Sequence, residues 1–261
     1  MDYNIRKRSA LVLGAGGGLG SAICLALGRE GATIVAADVN EEALNKTKAR
    51  LDAEHIPNMV RVWNLQELDS IDAHVSAIEQ AHGAVGILVN NTGGPPPSPA
   101  EVFDAAALEQ QFRAMVMSVM AISSRVLPGM RNQQWGRIVT SVSSGVVAPI
   151  PNLAMSNSLR LALVGWSKTL SREVAKDGIT VNTVIPGRIA TPRIQFLDEA
   201  KAKREGLSVE QVARDSVASI PAGRYGRPDE YADAVAFLAS ERASYITGTQ
   251  LRVDGGLLAN I

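Results

Sequence analysis

The stretch LGAGGGLG, Leu13 to Gly20, decides the fold. It lies between a short apolar run, ALVLG, and an amphipathic segment from Leu19 to Glu30. Glycines at positions 14, 18 and 20 allow a tight turn, and they let the backbone approach a diphosphate at the positive N-terminus of the next helix. The stretch therefore predicts the first strand, turn and helix of a dinucleotide-binding sheet.

The same alternation of apolar runs and amphipathic segments continues to the end of the chain. The later runs that predict strands are TIVAAD, MVRVWN, GILVNN, GRIVTSV, ITVNTVIPG and TQLRVDGG. Strands separated by helices of this length imply right-handed crossovers and a parallel sheet covered on both faces. We expect one α/β domain over residues 1–261, a doubly wound (Rossmann) parallel sheet of about seven strands with helices on both faces.

Composition narrows the range of partners. Lys and Arg number 26, as do Asp and Glu, so the balanced charge does not favour a nucleic-acid or membrane partner. Twenty uncharged residues follow Arg8, but six are glycine, which is poor for a signal peptide or a spanning helix. The single cysteine, Cys24, cannot form an internal disulfide, and the three histidines have no cysteine or carboxylate at ligand spacing. We expect a cytoplasmic, metal-free protein that acts on a small molecule.

The end of the second predicted strand indicates which dinucleotide binds. Asp38 lies there, where a carboxylate accepts the hydroxyls of an adenosine ribose and repels a 2′-phosphate. Gly17 occupies the place in the turn where a cation for that phosphate could stand. Both features favour NAD(H) over NADP(H). An alternative role for Asp38 is the N-cap of a helix that begins at Val39.

The chain resembles the short-chain dehydrogenase/reductase family over nearly its whole length. Members have T-G-x-x-x-G-x-G at the first turn, N-N-A-G after the fourth strand, a serine before Y-x-x-x-K, a P-G followed by a threonine, and a closing D-G-G. The corresponding stretches here are LGAGGGLG, NNTG at Asn90 to Gly93, SVSS at Ser141 to Ser144, PGRIAT at Pro186 to Thr191, and VDGG at Val253 to Gly256. In its run of motifs the chain is most similar to the 3-oxoacyl-[acyl-carrier-protein] reductases.

The resemblance implies an NAD(P)-dependent oxidoreductase that transfers hydride between a nicotinamide cofactor and a carbonyl or secondary alcohol. Asn64 matches the position that contacts adenine, and Asn90 matches the asparagine that ties the sheet beside the cofactor. Ile189 and Thr191 match the residues that meet the nicotinamide carboxamide. The full predicted cofactor set is Gly14, Gly18, Leu19, Gly20, Asp38, Asn64, Asn90, Arg160, Pro186, Gly187, Ile189 and Thr191.

The catalytic positions depart from the family pattern. Ser143 matches the serine that hydrogen-bonds the substrate carbonyl, and thirteen residues further the tyrosine position holds Ser156. The lysine position holds Arg160, and Met115 replaces the asparagine that supports a proton-relay water. The four tyrosines, Tyr3, Tyr225, Tyr231 and Tyr245, all lie in distant elements.

Ser143, Ser156 and Arg160 nevertheless predict a noncanonical catalytic site. An aliphatic hydroxyl is a far weaker acid than a phenol, whereas an arginine stays protonated and can hydrogen-bond a ribose or a developing alkoxide. Water or a substrate group would then deliver the proton, with Arg188 as a further electrophile. The alternative is that Ser156 and Arg160 are helix-surface residues, with Arg160 solvated.

Two other functions stay open at this point. One is a redox-silent NAD-binding protein. The other is a non-redox enzyme related to the halohydrin dehalogenases, which resemble this family and carry arginine in place of the lysine. Those relatives keep the tyrosine and lose the dinucleotide site, whereas this chain does the reverse.

Two irregular stretches and two apolar helix faces complete the predictions. TGGPPPSPAE, residues 92–101, is expected as a substrate wall, and the segment 187–219 as a substrate lid, because both follow strand carboxyl ends. The alternative for the proline run is an ordinary surface loop, because proline also marks helix starts. Family members are commonly tetramers. The apolar face of Leu159 to Leu170 and the stretch AMVMSVMAI are consistent with a homotetramer or homodimer, and packing in the core explains the same pattern equally well.

Overall fold

A seven-stranded parallel sheet forms the centre of the protein, in a computed structural model that describes residues 2–261. The strands are β1 (Ser9–Leu13), β2 (Thr33–Asp38), β3 (Asn58–Val62), β4 (Val85–Asn90), β5 (Gly136–Ser141), β6 (Ile179–Pro186) and β7 (Gln250–Val253). Their order across the sheet is β3-β2-β1-β4-β5-β6-β7, and every neighbouring pair is parallel. The predicted doubly wound sheet is confirmed.

Helices cover both faces of the sheet. They are α1 (Gly18–Arg29), α2 (Glu41–Ala53), α3 (Ile71–His82), α4 (Ala105–Phe112), α5 (Ser118–Asn132), α6 (Ala154–Val174), α7 (Pro192–Glu205), α8 (Val209–Ala218) and α9 (Pro228–Leu238). The core between the sheet and α1, α2 and α9 occupies one face, and the core beneath α3, α5 and α6 occupies the other. Three strands, β1, β4 and β5, are buried along their whole length. Their sequences are therefore mainly continuous apolar runs and do not alternate between apolar and polar residues.

The glycine turn after β1 requires glycine at two positions. Gly14 has a φ of +62°, and a Cβ there would lie 2.1 Å from the carbonyl oxygen of Asn91. A Cβ on Gly20 would lie 2.0 Å from the carbonyl oxygen of Gly14. The turn therefore packs α1 directly against the end of β1.

The segment 187–219 is not irregular, and that part of the prediction was wrong. It contains α7 and α8, whose ends carry ordinary capping signals. Thr191 Oγ1 accepts from the Ile194 amide with Pro192 in the first turn, Gly206 ends α7 at a φ of +66°, and Ser208 Oγ accepts from the Gln211 amide. The weak apolar periodicity of PRIQFLDEAKAKRE hides α7 in the sequence.

The proline-rich loop, by contrast, is held to the start of α6 by backbone hydrogen bonds. The Ser98 amide donates to the carbonyl of Asn152 (2.8 Å), and the Ala154 amide donates to the carbonyl of Ser98 (3.2 Å). Of the helices between residues 2 and 261, none combines the length and the apolar character needed to cross a bilayer.

Candidate functional site

A cleft of about 970 Å³ lies along the carboxyl ends of the strands. Twelve of the fourteen residues predicted for the site line it. They are Gly14, Gly18, Leu19, Asp38, Asn64, Ser143, Ser156, Arg160, Pro186, Gly187, Ile189 and Thr191. The fold thus brings the glycine turn, the predicted catalytic residues and the start of the 187–219 segment into one cavity.

The other two predicted residues, Gly20 and Asn90, lie behind the cleft wall. Gly20 allows the close packing of α1 on the turn. The amide of Asn90 donates to the hydroxyls of Ser123 on α5 and Thr140 on β5, both at 3.3 Å. Asn90 therefore ties β4 to its neighbours, as the family resemblance implies.

Asp38 holds the glycine turn in shape. One carboxylate oxygen accepts from the Gly16 amide and the other from the Asn40 amide, each at 2.9 Å. The side chain of Asn40, not of Asp38, caps α2 by accepting from the Ala43 amide at 3.0 Å. The alternative assignment of Asp38 as a helix N-cap is wrong.

The turn is shaped for a dinucleotide. The amides of Gly18 and Leu19 belong to the first turn of α1, where backbone N–H groups have no intrahelical acceptor. A Cβ on Gly17 would contact only the Gly14 carbonyl oxygen, at 3.4 Å, and one on Gly93 would have no neighbour within 4 Å. Open space, free donors and the positive helix end fit a diphosphate.

Arg160 is a buried cation whose hydrogen bonds all go to the backbone. Only 9% of its surface is exposed. Its Nη1 donates to the carbonyl of Ser141 at 2.9 Å, and its Nη2 donates to the carbonyls of Thr92 and Gly93 at 3.3 and 2.9 Å. Burial lowers the pKa of Arg160 to about 10, which leaves it charged at neutral pH. The alternative of a solvated arginine is wrong.

Two serine hydroxyls accompany this guanidinium in the cleft. Ser143 Oγ accepts from the Gly145 amide at 3.1 Å, so its hydrogen is left for a ligand. Ser156, which is 8% exposed, lies one helical turn before Arg160, and its hydroxyl bonds no other residue between 2 and 261. Both hydroxyls can therefore donate to an oxygen atom bound in the cleft.

The position of the family asparagine is apolar here. Met115 is buried among Val142, Leu159 and other hydrophobic side chains. A π-helical turn lies at Arg113–Met117 between α4 and α5, and such turns are frequent at functional sites. Met115 lies within this turn and has no amide group with which to hold a relay water.

None of the tyrosines between residues 2 and 261 lines the cleft. The fold does bring Tyr231 under it, where the phenol donates to Ser141 Oγ at 2.8 Å. That phenol is fully buried, and burial raises its pKa. Tyr231 is therefore not a substitute for the missing tyrosine.

Three arginines of the 187–219 segment line the cleft, and they are Arg188, Arg193 and Arg204. Arg188, predicted as a further electrophile, forms an ion pair with the buried Asp198 at 2.5 Å, and Tyr225 also donates to that carboxylate. Sequence reasoning missed Arg193, whose Nη2 donates to the carbonyl of Pro95 at 2.7 Å. Its only sequence signal is its position two residues after Thr191.

Within residues 2–261, no cluster of histidine, cysteine or carboxylate side chains suited to a metal ion is found.

The parallel sheet and its glycine turn define a dinucleotide-binding α/β protein. The chain belongs to the short-chain dehydrogenase/reductase family of NAD(P)-dependent oxidoreductases, since residues 14–258 match the family model described as enoyl-(acyl carrier protein) reductase. It is 34% identical to the 3-oxoacyl-[acyl-carrier-protein] reductase FabG of Thermotoga maritima, over 97% of this chain and 99% of that protein. It is 35% identical to the FabG of Escherichia coli, over 97% and 98% of the two chains.

Solved structures agree with this membership. L-sorbose reductase from Gluconobacter frateurii, complexed with NADPH and L-sorbose, superposes with a TM-score of 0.93 at 28% identity and covers both chains fully. NAD⁺-bound xylitol dehydrogenase superposes with a TM-score of 0.91 at 27% identity, over 97% of this chain and 100% of that one.

Proposed function

We propose that the protein is a 3-oxoacyl reductase-like oxidoreductase that prefers NAD(H) and uses a noncanonical site of Ser143, Ser156 and Arg160. The observation that carries the proposal is one cleft that joins an intact glycine turn to two hydroxyl donors beside a buried guanidinium. The substrate is a small carbonyl compound or the corresponding alcohol.

The residues that would hold the cofactor are spread along the cleft. The amides of Gly18 and Leu19 would bind the diphosphate, and Asp38 the adenosine ribose. Asn64 would contact the adenine, while Pro186, Gly187, Ile189 and Thr191 would meet the nicotinamide end. When bound, the nicotinamide supplies or accepts the hydride.

The preference for NAD(H) is supported by the residues around the ribose site. The Asp38 carboxylate would repel a 2′-phosphate, and neither Gly17 nor Val39 supplies a cation to offset it. The solved relatives include complexes with NADPH and with NAD⁺, so the proposal depends on these side chains and not on the relatives.

In place of the missing tyrosine, two serine hydroxyls and one guanidinium would stabilise the substrate oxygen during the reaction. Ser143 and Ser156 donate to the carbonyl oxygen of the substrate. Arg160 adds a positive charge that has no carboxylate partner within residues 2–261, and in a buried site such a charge stabilises the alkoxide that develops. The serine hydroxyls are too weakly acidic to give up their protons, so water or a substrate group delivers the proton.

A redox-silent NAD-binding protein is the second candidate. It is favoured by the engagement of Arg160 with three backbone carbonyls and by the apolar surroundings of Met115. A non-redox enzyme related to the halohydrin dehalogenases ranks third, because the glycine turn and Asp38 retain a dinucleotide site.

The test is NADH consumption against a carbonyl panel that includes 3-oxoacyl thioesters, with NADH affinity and thermal stability measured in parallel. We expect Ser143→Ala and Ser156→Ala each to lower kcat about tenfold or more without weakening NADH binding, because each removes a hydrogen bond to the developing oxyanion. Ser158→Ala is the matched control, since Ser158 is an exposed serine of the same helix that bonds the Ala154 carbonyl.

Arg160→Lys tests the guanidinium while keeping a positive charge. We expect a lower melting temperature, because one ammonium cannot reproduce the fork that joins the ends of β4 and β5. Tight NADH binding without turnover in the native protein and in every variant would contradict the proposal in favour of the second candidate. Halide release from a halohydrin would favour the third.

A further inference from the structure

Two arginine side chains approach each other at Gly94, in the same cleft that Ser143 and Ser156 line. The point where a Cβ on Gly94 would stand lies 3.2 Å from Arg193 Nη2 and 3.7 Å from Arg160 Nη2. Both nitrogens therefore lie within 4 Å of one point beside Gly94, so the two guanidinium groups are close to each other. Both side chains line the cleft, one from α7 and one from α6.

Neither guanidinium is neutralised by the protein. The hydrogen bonds of Arg160 and Arg193 go to backbone carbonyls, and within residues 2–261 neither has a carboxylate partner. Arg160 is buried and Arg193 is partly buried, and burial lowers the pKa of each. Two close charges of the same sign repel each other where water screens them poorly, and an anion placed between them relieves the repulsion.

The other charged residues that line the cleft supply no negative charge to Arg160 and Arg193. Arg188 pairs with Asp198, while Lys201 and Arg204 pair with Glu205. Asp38 is the one carboxylate that lines the cleft in the described chain, and it lies at the end of β2, separated from β4 and β5 by β1. The anion must therefore come from a ligand.

The position of the pair favours the substrate over the cofactor as its source. The diphosphate of a dinucleotide has its own donors in the first turn of α1. Arg160 instead lies one turn after Ser156 and bonds the strand end that leads to Ser143. A group bound between the arginines is thus a neighbour of the hydroxyls that would hold the reacting carbonyl.

We infer that the substrate is an oxo acid, whose carboxylate is bound by Arg193 with Arg160 behind it. Arg193 is suited to this role because one Nη2 hydrogen is fixed on Pro95 while the rest of its planar fork is left to bind a carboxylate. Its guanidinium carbon also stands 5.5 Å above the Phe196 ring, which helps to orient it.

This inference rests on the proposed oxidoreductase function and specifies its substrate. In the reduction, the carbonyl carbon gains a hydride from NADH, which is oxidised to NAD⁺, and the carbonyl oxygen gains a proton from water. The carboxylate is unchanged, so the product is the corresponding hydroxy acid.

The test compares pyruvate, acetoacetate and 4-oxopentanoate with their methyl esters as substrates, at saturating NADH. We expect kcat/KM for at least one acid to exceed that of its ester by about ten- to a hundredfold, the value of a charge-assisted bidentate contact. Arg193→Gln should bring the ratio close to one, mainly by raising KM for the acid. Arg193→Lys should restore part of it.

Lys203→Gln is the control for general electrostatics, because it removes one positive charge from an exposed position of the same helix that does not line the cleft. It should leave the ratio of acid to ester unchanged. Esters that react as well as the acids in the native protein would overturn the inference while leaving the proposed function standing. A fall in NADH affinity in Arg193→Gln as large as the fall in acid selectivity would also overturn it, since the pair would then serve the cofactor.

A binding measurement separates this inference from the proposed function. Titration calorimetry of 3-hydroxybutanoate and its methyl ester into the protein and NADH complex needs no turnover. Binding of the acid alone, lost in Arg193→Gln, would support the anion site even if no carbonyl compound were reduced. Equal binding of acid and ester would overturn it.

Discussion

Asp38 and Gly17 are the residues on which the choice between the two dinucleotides depends. Gly17 has an ordinary extended backbone, with φ −75° and ψ 165°, so any residue can adopt its conformation. A Cβ there would contact only the Gly14 carbonyl oxygen, at 3.4 Å. Neither the backbone conformation nor the space around the Cβ therefore excludes a larger residue at position 17.

We predict that Gly17→Arg combined with Asp38→Asn reverses the preference for NAD(H). The first change adds a cation for the 2′-phosphate, and the second removes the repelling charge while keeping an acceptor for the turn. The ratio of NADPH to NADH affinity, measured by fluorescence titration, should rise about a hundredfold or more. Gly17→Arg alone retains the carboxylate and should show a smaller rise. Native protein that already binds NADPH as tightly as NADH would contradict the prediction.

Arg160 shows which part of a site a sequence can predict. Its spacing from Ser156 places both on one face of a helix, and that is readable from the chain. The sequence does not reveal which groups accept its hydrogen bonds. Thr92, Gly93 and Ser141 lie far from Arg160 in sequence and come together only when β4 and β5 pair. Burial of Arg160 without a counter-ion is likewise a tertiary property, so the sequence left both a solvated and a functional arginine open.

Secondary-structure elements were easiest to predict where burial produced a clear apolar pattern in the sequence. β1 and β4 are buried on both sides, and their continuous apolar runs gave nearly correct bounds. In α7 the buried residues are Asp198 and Ala202, so its helical period carries little signal. Arg193 was not predicted for the same reason. Without a predicted helix, the sequence does not indicate which way its side chain points.

The segment 187–219 is expected to behave as a lid, and we predict that ligand binding slows its hydrogen exchange. Thr191, Ile194 and Leu197 line the cleft, whereas few of the side chains in α7 and α8 are buried in the core. Such elements open with low free energy until a ligand adds contacts. NADH with a carbonyl compound should slow amide exchange in residues 192–218. The amides of α9, which packs against the core, serve as the control, and equal slowing in α9 would argue against a lid.

The N-terminus of α9 should make a pH-dependent contribution to stability. Glu230 accepts from the Arg227 amide at 2.7 Å and pairs with Arg224 at 2.6 Å, and these contacts, chiefly the one with Arg224, lower its pKa to about 2. A carboxylate whose pKa is lowered by folding stabilises the protein above its unfolded pKa, and the contribution is lost as the pH falls towards the folded value.

We therefore predict that Glu230→Gln lowers the melting temperature near neutral pH by a small amount. The difference from the native protein should shrink as the pH falls from about 4.5 towards about 2. Glu109→Gln, which changes an exposed carboxylate of α4, is the comparison for a change that does not affect α9. A difference that is constant across the acid range would show that the Glu230 charge is not responsible.

The apolar surface of the whole molecule bears on its assembly. Leu161 on α6 is 53% exposed and Met117, in the π-helical turn beside it, is 39% exposed. Phe112 at the end of α4 is also exposed. Exposed apolar groups on neighbouring helices commonly mark a contact between subunits, whereas single ones elsewhere need no explanation.

We predict a homotetramer or homodimer whose contact includes this surface, with a mass in solution that is a multiple of 27.6 kDa. Leu161→Glu with Met117→Glu would place two charges in an apolar contact between subunits. Desolvating these charges costs more free energy than burial of the contact gains, so the mass should fall towards that of one chain. Light scattering after size-exclusion chromatography measures the mass. Tyr245→Glu, at a fully exposed position elsewhere, should leave the native assembly intact. A native protein that runs as a single chain would contradict this prediction and remove the oligomer from the proposal.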